Sequence, residues 1–176
     1  MRIGASLPAL EFIIKGIIFD NAEETFAIFK NETEMRNAGS RKYKAKATDA
    51  DVVFLIDADF DANLNKYKFF KGDIQKFILS DYPQIEFSNY NASTNRGVSG
   101  GFSLANNPYI FLNPEKTEEL IKIIATELAK LAPEAKSQLY ANAASLINFN
   151  KQEFIQFKTS LELSLIHISE PTRQKP

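Results

Sequence analysis

Five apolar residues in a row, Val52-Val53-Phe54-Leu55-Ile56, end directly on Asp57. A strand that is apolar on both faces belongs inside a covered sheet, the position of a central strand in a parallel α/β sheet. The flanking segments fit that frame. Arg2 to Leu7 reads as a short strand entering Pro8, and proline suits a first helical position because its missing N–H had no partner there. Leu10, Ile13, Ile14 and Ile17 then recur at helical spacing. Thr25 to Phe29 is a second strand candidate, Asn37-Ala38-Gly39-Ser40 a turn, and Arg41 to Thr48 a weak helix. Phe60 to Phe70 predicts a helix, and Ile74 to Leu79 lies in another. Pro83 ends that unit, and Ile85 to Phe87 reads as a fourth strand. Strands alternating with helices predict a parallel α/β sheet.

Asn89 to Asn107 breaks the alternation. It is rich in Asn and Ser and carries Gly97, Gly100 and Gly101, which predicts a long surface loop. Its glycines do not form a phosphate-cradling pattern. Two helices follow. Asn113-Pro114 supplies an N-cap and a favoured first residue, and Leu120, Ile121, Ile124, Leu128 and Leu131 share one face. Ala132-Pro133 interrupts the pattern. A longer helix then carries Leu139, Ala143, Leu146, Phe154, Phe157 and Leu161 on one stripe, with Asn148-Phe149-Asn150 as a weak spot.

Composition narrows the chemistry. The net charge is −1 and no basic run is present, so nucleic acid is not expected as a partner. The chain has no cysteine, and its one histidine is His167. Disulfides, thiolate metal sites and serine–histidine triads are therefore excluded from residues 1–162. No apolar run reaches the length of a membrane-spanning helix. Met1 to Ser6 lacks the charged head and apolar stretch of an export signal. The expectation is a cytoplasmic protein, or one whose export signal lies outside this sequence.

Leu163 to Arg173 reads LSLIHISEPTR. The transposase adapter used to prepare sequencing libraries can encode that string. The expectation is that residues 163–176 are read-through, that the natural sequence is interrupted near Glu162, and that His167 has no role.

Asp57, Asp59 and Asp61 follow the apolar strand. Ligands of open α/β sheets gather at the carboxyl ends of strands, and three carboxylates there suit a hard cation. A metal-dependent glycosyl- or phosphoryl-transfer enzyme using Asp57 and Asp59 is one reading. Acidic residues stabilising a helix N-terminus are the other. An EF-hand is excluded, because Ala62 stands where the loop needs glycine and Lys68 where it needs glutamate.

From Arg2 to Glu162 the order of segments resembles the N-terminal half of the zinc and manganese solute-binding proteins of ABC transporters. Leu7-Pro8 and the helix to Ile18 are similar to that family's start. Ala50-Asp51-Val52-Val53-Phe54 is similar to its Ala-Asp-apolar-apolar-Phe strand, and Phe60-Asp61 with Leu64 to its next helix start. Asn107-Pro108-Tyr109-Ile110-Phe111-Leu112-Asn113-Pro114 resembles the family segment Asp-Pro-His-x-Trp-Leu-Asp-Pro. Ala132-Pro133-Glu134 and Tyr140-x-Asn142 continue the match.

The resemblance implies a two-lobed, non-catalytic solute-binding protein, periplasmic or on the cell surface, that delivers zinc or manganese to an ABC-transporter membrane permease. It implies an N-terminal α/β lobe over 1–112, a helix packed on it over 113–132, and an interlobe helix over 133–162, with the second lobe missing. The family's first histidine ligand falls at Met35 or Arg36 and its second at Tyr109. Neither supplies the imidazole that zinc favours. The expectation is a divergent member with its usual metal ligands lost, or one turned to scaffolding or surface interaction. Phe154, Phe157 and Leu161 are then expected to be exposed where the second lobe would lie, and to promote self-association.

Overall fold

A computed structural model describes residues 1–19, 24–31, 33–34, 47–57, 61, 74–85 and 110–169. Four strands, β1 (Arg2–Ala5), β2 (Glu24–Ala27), β3 (Val52–Leu55) and β4 (Gln75–Ile78), form one sheet in the order β2-β1-β3-β4. All neighbouring pairs are parallel. The apolar run lies where its composition requires: every residue of β3 is buried, and Phe54 stacks on Phe77 with ring centroids 5.0 Å apart. Gly4 lets β1 approach β3, since a Cβ there would sit 3.2 Å from Val53 Cγ2 and 3.3 Å from Ala50 Cβ.

β4 corrects one expectation. Ile74 to Ile78 is not helical. Gln75 to Ile78 pairs with β3 from Val52↔Gln75 to Leu55↔Ile78, and a short 3₁₀ turn, Leu79–Asp81, follows. Four residues are too few to separate a period of 2 from one of 3.6. The free edge of β3 decides, because its backbone groups need partners. Ile85, expected to open a fourth strand, is buried and its N–H donates to Tyr82 O at 2.9 Å, while Glu86 and Phe87 lie outside the described residues.

Helix α1 (Pro8–Ile18) buries Leu10, Ile13, Ile14, Ile17 and Ile18 against the sheet and the later helices. It ends at Phe19, which has φ 51° and whose N–H donates to Lys15 O. Asn142 Nδ2 donates to Ile17 O at 2.8 Å and closes another carbonyl of that last turn. Helix α2 (Pro114–Leu131) is capped by Asn113 Oδ1, which accepts from the N–H groups of Glu115 and Lys116. Its expected face is buried at Leu120, Ile121, Ile124 and Leu128.

Helix α3 (Lys136–Ser169) packs on α1 and α2. Gly16 permits the close crossing with α1, because a Cβ there would lie 3.0 Å from Leu146. The helix runs through Asn148-Phe149-Asn150 without a break. Its stripe is buried at Leu139 and Ala143, half-buried at Leu146, and exposed at Phe154, Phe157 and Leu161. The exposure expected from the sequence is therefore present. None of the described helices is long and apolar enough to cross a membrane.

All side chains from Lys151 to Glu162 are exposed, so α3 has already left the body before the adapter-like tail begins. Deleting residues 163–176 is expected to leave the melting temperature unchanged within error. A clear drop on calorimetric scanning would show that the tail belongs to the fold.

Candidate functional site

In the strand order β2-β1-β3-β4 the connections diverge on either side of β1, and the switch point lies between β1 and β3. Ser6 and Asp57 leave the carboxyl ends of those two strands, and Asp61 returns to the same place. Asp61 is fully buried. Its Oδ2 accepts from the N–H groups of Ile56 at 2.7 Å and Asp57 at 3.2 Å, and its own N–H donates to Asp57 O at 2.8 Å. The carboxylate therefore closes the end of β3.

Its charge state follows from that burial. Desolvation pushes the Asp61 carboxyl up from 3.8 to about 7, against the lowering effect of the Asp57 and Ile56 amides and of Ser6; the nearby Asp57 charge adds to the rise. Asp61 Oδ1 and Ser6 Oγ are both buried and complete no hydrogen bond among the described residues. A proton on Oδ1, donated to Ser6 Oγ, would satisfy both atoms.

Asp57 is buried as well. The structure thus brings Asp57 and Asp61 together, while Asp59 lies outside the described residues. Among the described residues there is no group of three His, Cys, Asp or Glu side chains able to hold a metal ion.

An open cavity of about 360 Å³ lies at the carboxyl ends of β1 and β2, lined by Leu7, Pro8, Ala9, Asn31, Thr33 and Phe111. Met35, Arg36 and Tyr109 lie outside the described residues, but the residues flanking them are present. Thr33 precedes the first pair by two positions, and Phe111 follows Tyr109 by two.

Both flanks are held firmly. Asn31 Oδ1 accepts from Glu34 N–H at 2.9 Å, and Glu34 Oε2 accepts from Lys30 N–H at 2.9 Å. On the other side, Thr117 Oγ1 lies 2.9 Å from both Phe111 O and Asn113 O, and Asn113 N–H donates to Ile110 O. Phe111 and Ala9 also line a second cavity, of about 270 Å³, with Phe12, Ile13, Ile121 and Phe149. Phe111 is thus a shared wall between two open cavities, the second of them mostly apolar.

The sequence reading did not single out Ser6, Asn31, Thr33 or Phe111 as site residues. A signal existed for Asn31: Asn-x-x-Glu is a helix-start pattern in which two side chains satisfy backbone donors reciprocally. Ser6 had only its place at the end of a strand.

Residues 3–162 match the family described as ZnuA, zinc-uptake complex component A, periplasmic. No curated protein matches the chain. Among solved structures, a zinc-bound ZnuA deletion mutant is similar at 19% identity and a TM-score of 0.69, covering 86% of this chain and 55% of that one. The manganese complex of the solute-binding protein FpvC from Pseudomonas aeruginosa is similar at 20% identity and a TM-score of 0.69, covering 86% and 54%. AdcAII from Streptococcus pneumoniae is similar at 18% identity and a TM-score of 0.69, covering 92% and 57%. The chain spans little more than half the length of these three relatives.

Proposed function

The chain belongs to the ZnuA family of periplasmic zinc-uptake components, and from that premise we propose that it is the non-catalytic solute-binding component of a metal-ion ABC transporter, working outside the cytoplasmic membrane with a membrane permease. One observation carries the reading at the level of the site. The cavity at the ends of β1 and β2 is bounded by Thr33 and Phe111, which stand two positions in the sequence from Met35 and from Tyr109, where the resemblance puts the family's ligands. Met35, Arg36 and Tyr109 are the proposed cleft residues. The proposed organisation is a lobe over 1–112, α2 over 113–132 and a joining helix over 133–162, with a further lobe closing the cleft.

The related structures hold zinc or manganese. The proposed cargo is a hard cation or a metal carried by an organic ligand, because the part of the site that residues 1–162 supply contains neither His nor Cys. Tight zinc sites draw on imidazole and thiolate. Carboxylates and carbonyls suit magnesium, calcium or manganese. The alternative of a transferase built on Asp57 and Asp59 gains no support from Asp61, whose Oδ2 is taken up by backbone amides.

Native mass spectrometry of the chain purified from its own host tests the binding role. A bound solute that is lost in Ala9→Trp, which fills the cavity, is the expected result; a chain carrying no solute counts against it. Calorimetric titration with zinc is expected to show no submicromolar site. A stoichiometric nanomolar signal that disappears in Tyr109→Phe would overturn the divergence and make zinc the direct cargo.

A further inference from the structure

The wall of the open cavity at the ends of β1 and β2 is apolar on one side and donates hydrogen bonds on the other. Among the described residues, Leu7, Pro8, Ala9 and Phe111 supply the apolar face, and Asn31 and Thr33 supply the polar side chains. None of these six residues carries a carboxylate. Glu34, which follows Thr33, turns its carboxylate back on its own chain, where Oε2 accepts from Lys30 N–H at 2.9 Å. The Asn31 amide is fixed in orientation too. Its Oδ1 accepts from Glu34 N–H at 2.9 Å, so the end left for a solute is the N–H₂, which only donates. The Thr33 hydroxyl offers a second donor.

Such a wall does not suit a bare ion. A hard cation takes about six to eight oxygen ligands, carboxylates foremost. An amide N–H₂ carries partial positive charge and repels it, and an apolar face replaces none of the water it would lose. The residue types at the ligand positions of the resemblance point the same way. Arg36 is a permanent cation, Tyr109 a phenol and Met35 an apolar thioether. Guanidinium groups pair with carboxylate and other anionic oxygens. Donors, a cation and an apolar face with an aromatic ring together fit an anion that has a ring of its own.

Resting on the solute-binding reading, we propose that this half of the cleft receives its metal as an anionic chelate, a complex in which an aromatic organic ligand supplies the oxygen donors. The metal then needs no ligand from this wall. The chelator's ring lies against Phe111 and Pro8, a contact that aromatic faces favour, and its anionic oxygens accept from Asn31 Nδ2 and Thr33 Oγ1. A chain of a zinc-uptake family whose residues 1–162 hold neither imidazole nor thiolate keeps a use for its cleft in this way.

Calorimetric titration of the full chain with ferric catecholate, with manganese chloride and with free catechol tests the proposal. Ferric catecholate is expected to give a saturable signal. Manganese alone is expected to bind at least about a hundredfold more weakly, and free catechol, which brings a ring without the charge, at least about tenfold more weakly. Asn31→Asp keeps the bond to Glu34 N–H, because aspartate caps a helix start as well as asparagine does, but it sets a carboxylate where the donor stood. That variant is expected to weaken the chelate by about tenfold through like-charge repulsion, with circular dichroism melts showing that it is folded. Manganese bound more tightly than the chelate overturns the proposal and leaves the solute-binding reading in place. Binding of neither probe overturns the proposal and counts against that reading as well. Chelate affinity unchanged in Asn31→Asp, or free catechol bound as tightly as its ferric complex, also overturns it.

Discussion

Exchanging Asp61 for asparagine is expected to stabilise the protein above pH 7 and to remove a loss of stability that the natural chain undergoes between about pH 4 and pH 7. Burial raises the Asp61 carboxyl from 3.8 to about 7 in the folded state. Within that window the folded chain keeps a proton that the unfolded chain releases. The folded state therefore binds more protons, and stability falls as pH rises. The contribution is fully present below 3.8 and gone above about 7. The displacement corresponds to about 4 kcal/mol, a ceiling that relaxation around the ionised group would reduce. Asparagine keeps the acceptor for the Ile56 and Asp57 amides and offers an N–H₂ to Ser6 Oγ, without a charge to desolvate. Urea unfolding of both proteins at pH 5 and pH 8 measures the difference. If the two proteins change in parallel between those values, Asp61 is not the titrating group.

The second large effect is expected at the centre of the sheet. Phe54→Ala should cost about 3–5 kcal/mol, the range for removing a fully buried phenylalanine. Phe54 has no exposed surface, its strand pairs on both sides, and its ring stacks on Phe77. Truncation would leave a cavity on the face of a sheet whose backbone is fixed by hydrogen bonds on both sides of β3, so little collapse can offset it. For a small domain that loss is comparable with the whole stability. Phe54→Leu, which keeps most of the volume, should cost far less. A loss below about 1 kcal/mol for the alanine variant on urea unfolding would mean that the core is centred elsewhere.

Much of the fold was legible because its signals were local and strong. The run from Val52 to Ile56 marked a doubly covered strand. Pro8 and Asn113-Pro114 marked helix starts, and the repeats in α1 and α2 marked their buried faces. β4 was misread because Gln75-Lys76-Phe77-Ile78 has little intrinsic signature. It is a strand because β3 presents an unpaired edge and Phe54 presents a ring for Phe77 to cover. The site was legible in a different way. Met35, Arg36 and Tyr109 were picked out by likeness to a family, whereas nothing in the string placed Asn31 and Thr33 near Phe111. Those residues are about 80 positions apart and meet only because β1 and β2 end at the same edge of the sheet.

The sequence by itself determined the class of the fold, the helix boundaries set by proline and asparagine, and the absence of imidazole and thiolate from residues 1–162. Each depends on residue type or on neighbours within a few positions. Only the tertiary structure decided which way Asp61 turns. Read along the chain it was a third carboxylate for a cation. In the fold it is sealed from water with one oxygen on two backbone amides, because the end of a buried strand leaves donors that must be satisfied. The packing likewise decided where the α3 stripe is covered and where it is bare. Apolar residues recur on that stripe from Leu139 to Leu161, interrupted at Asn150, and they are buried at Leu139 and Ala143 but exposed at Phe154, Phe157 and Leu161.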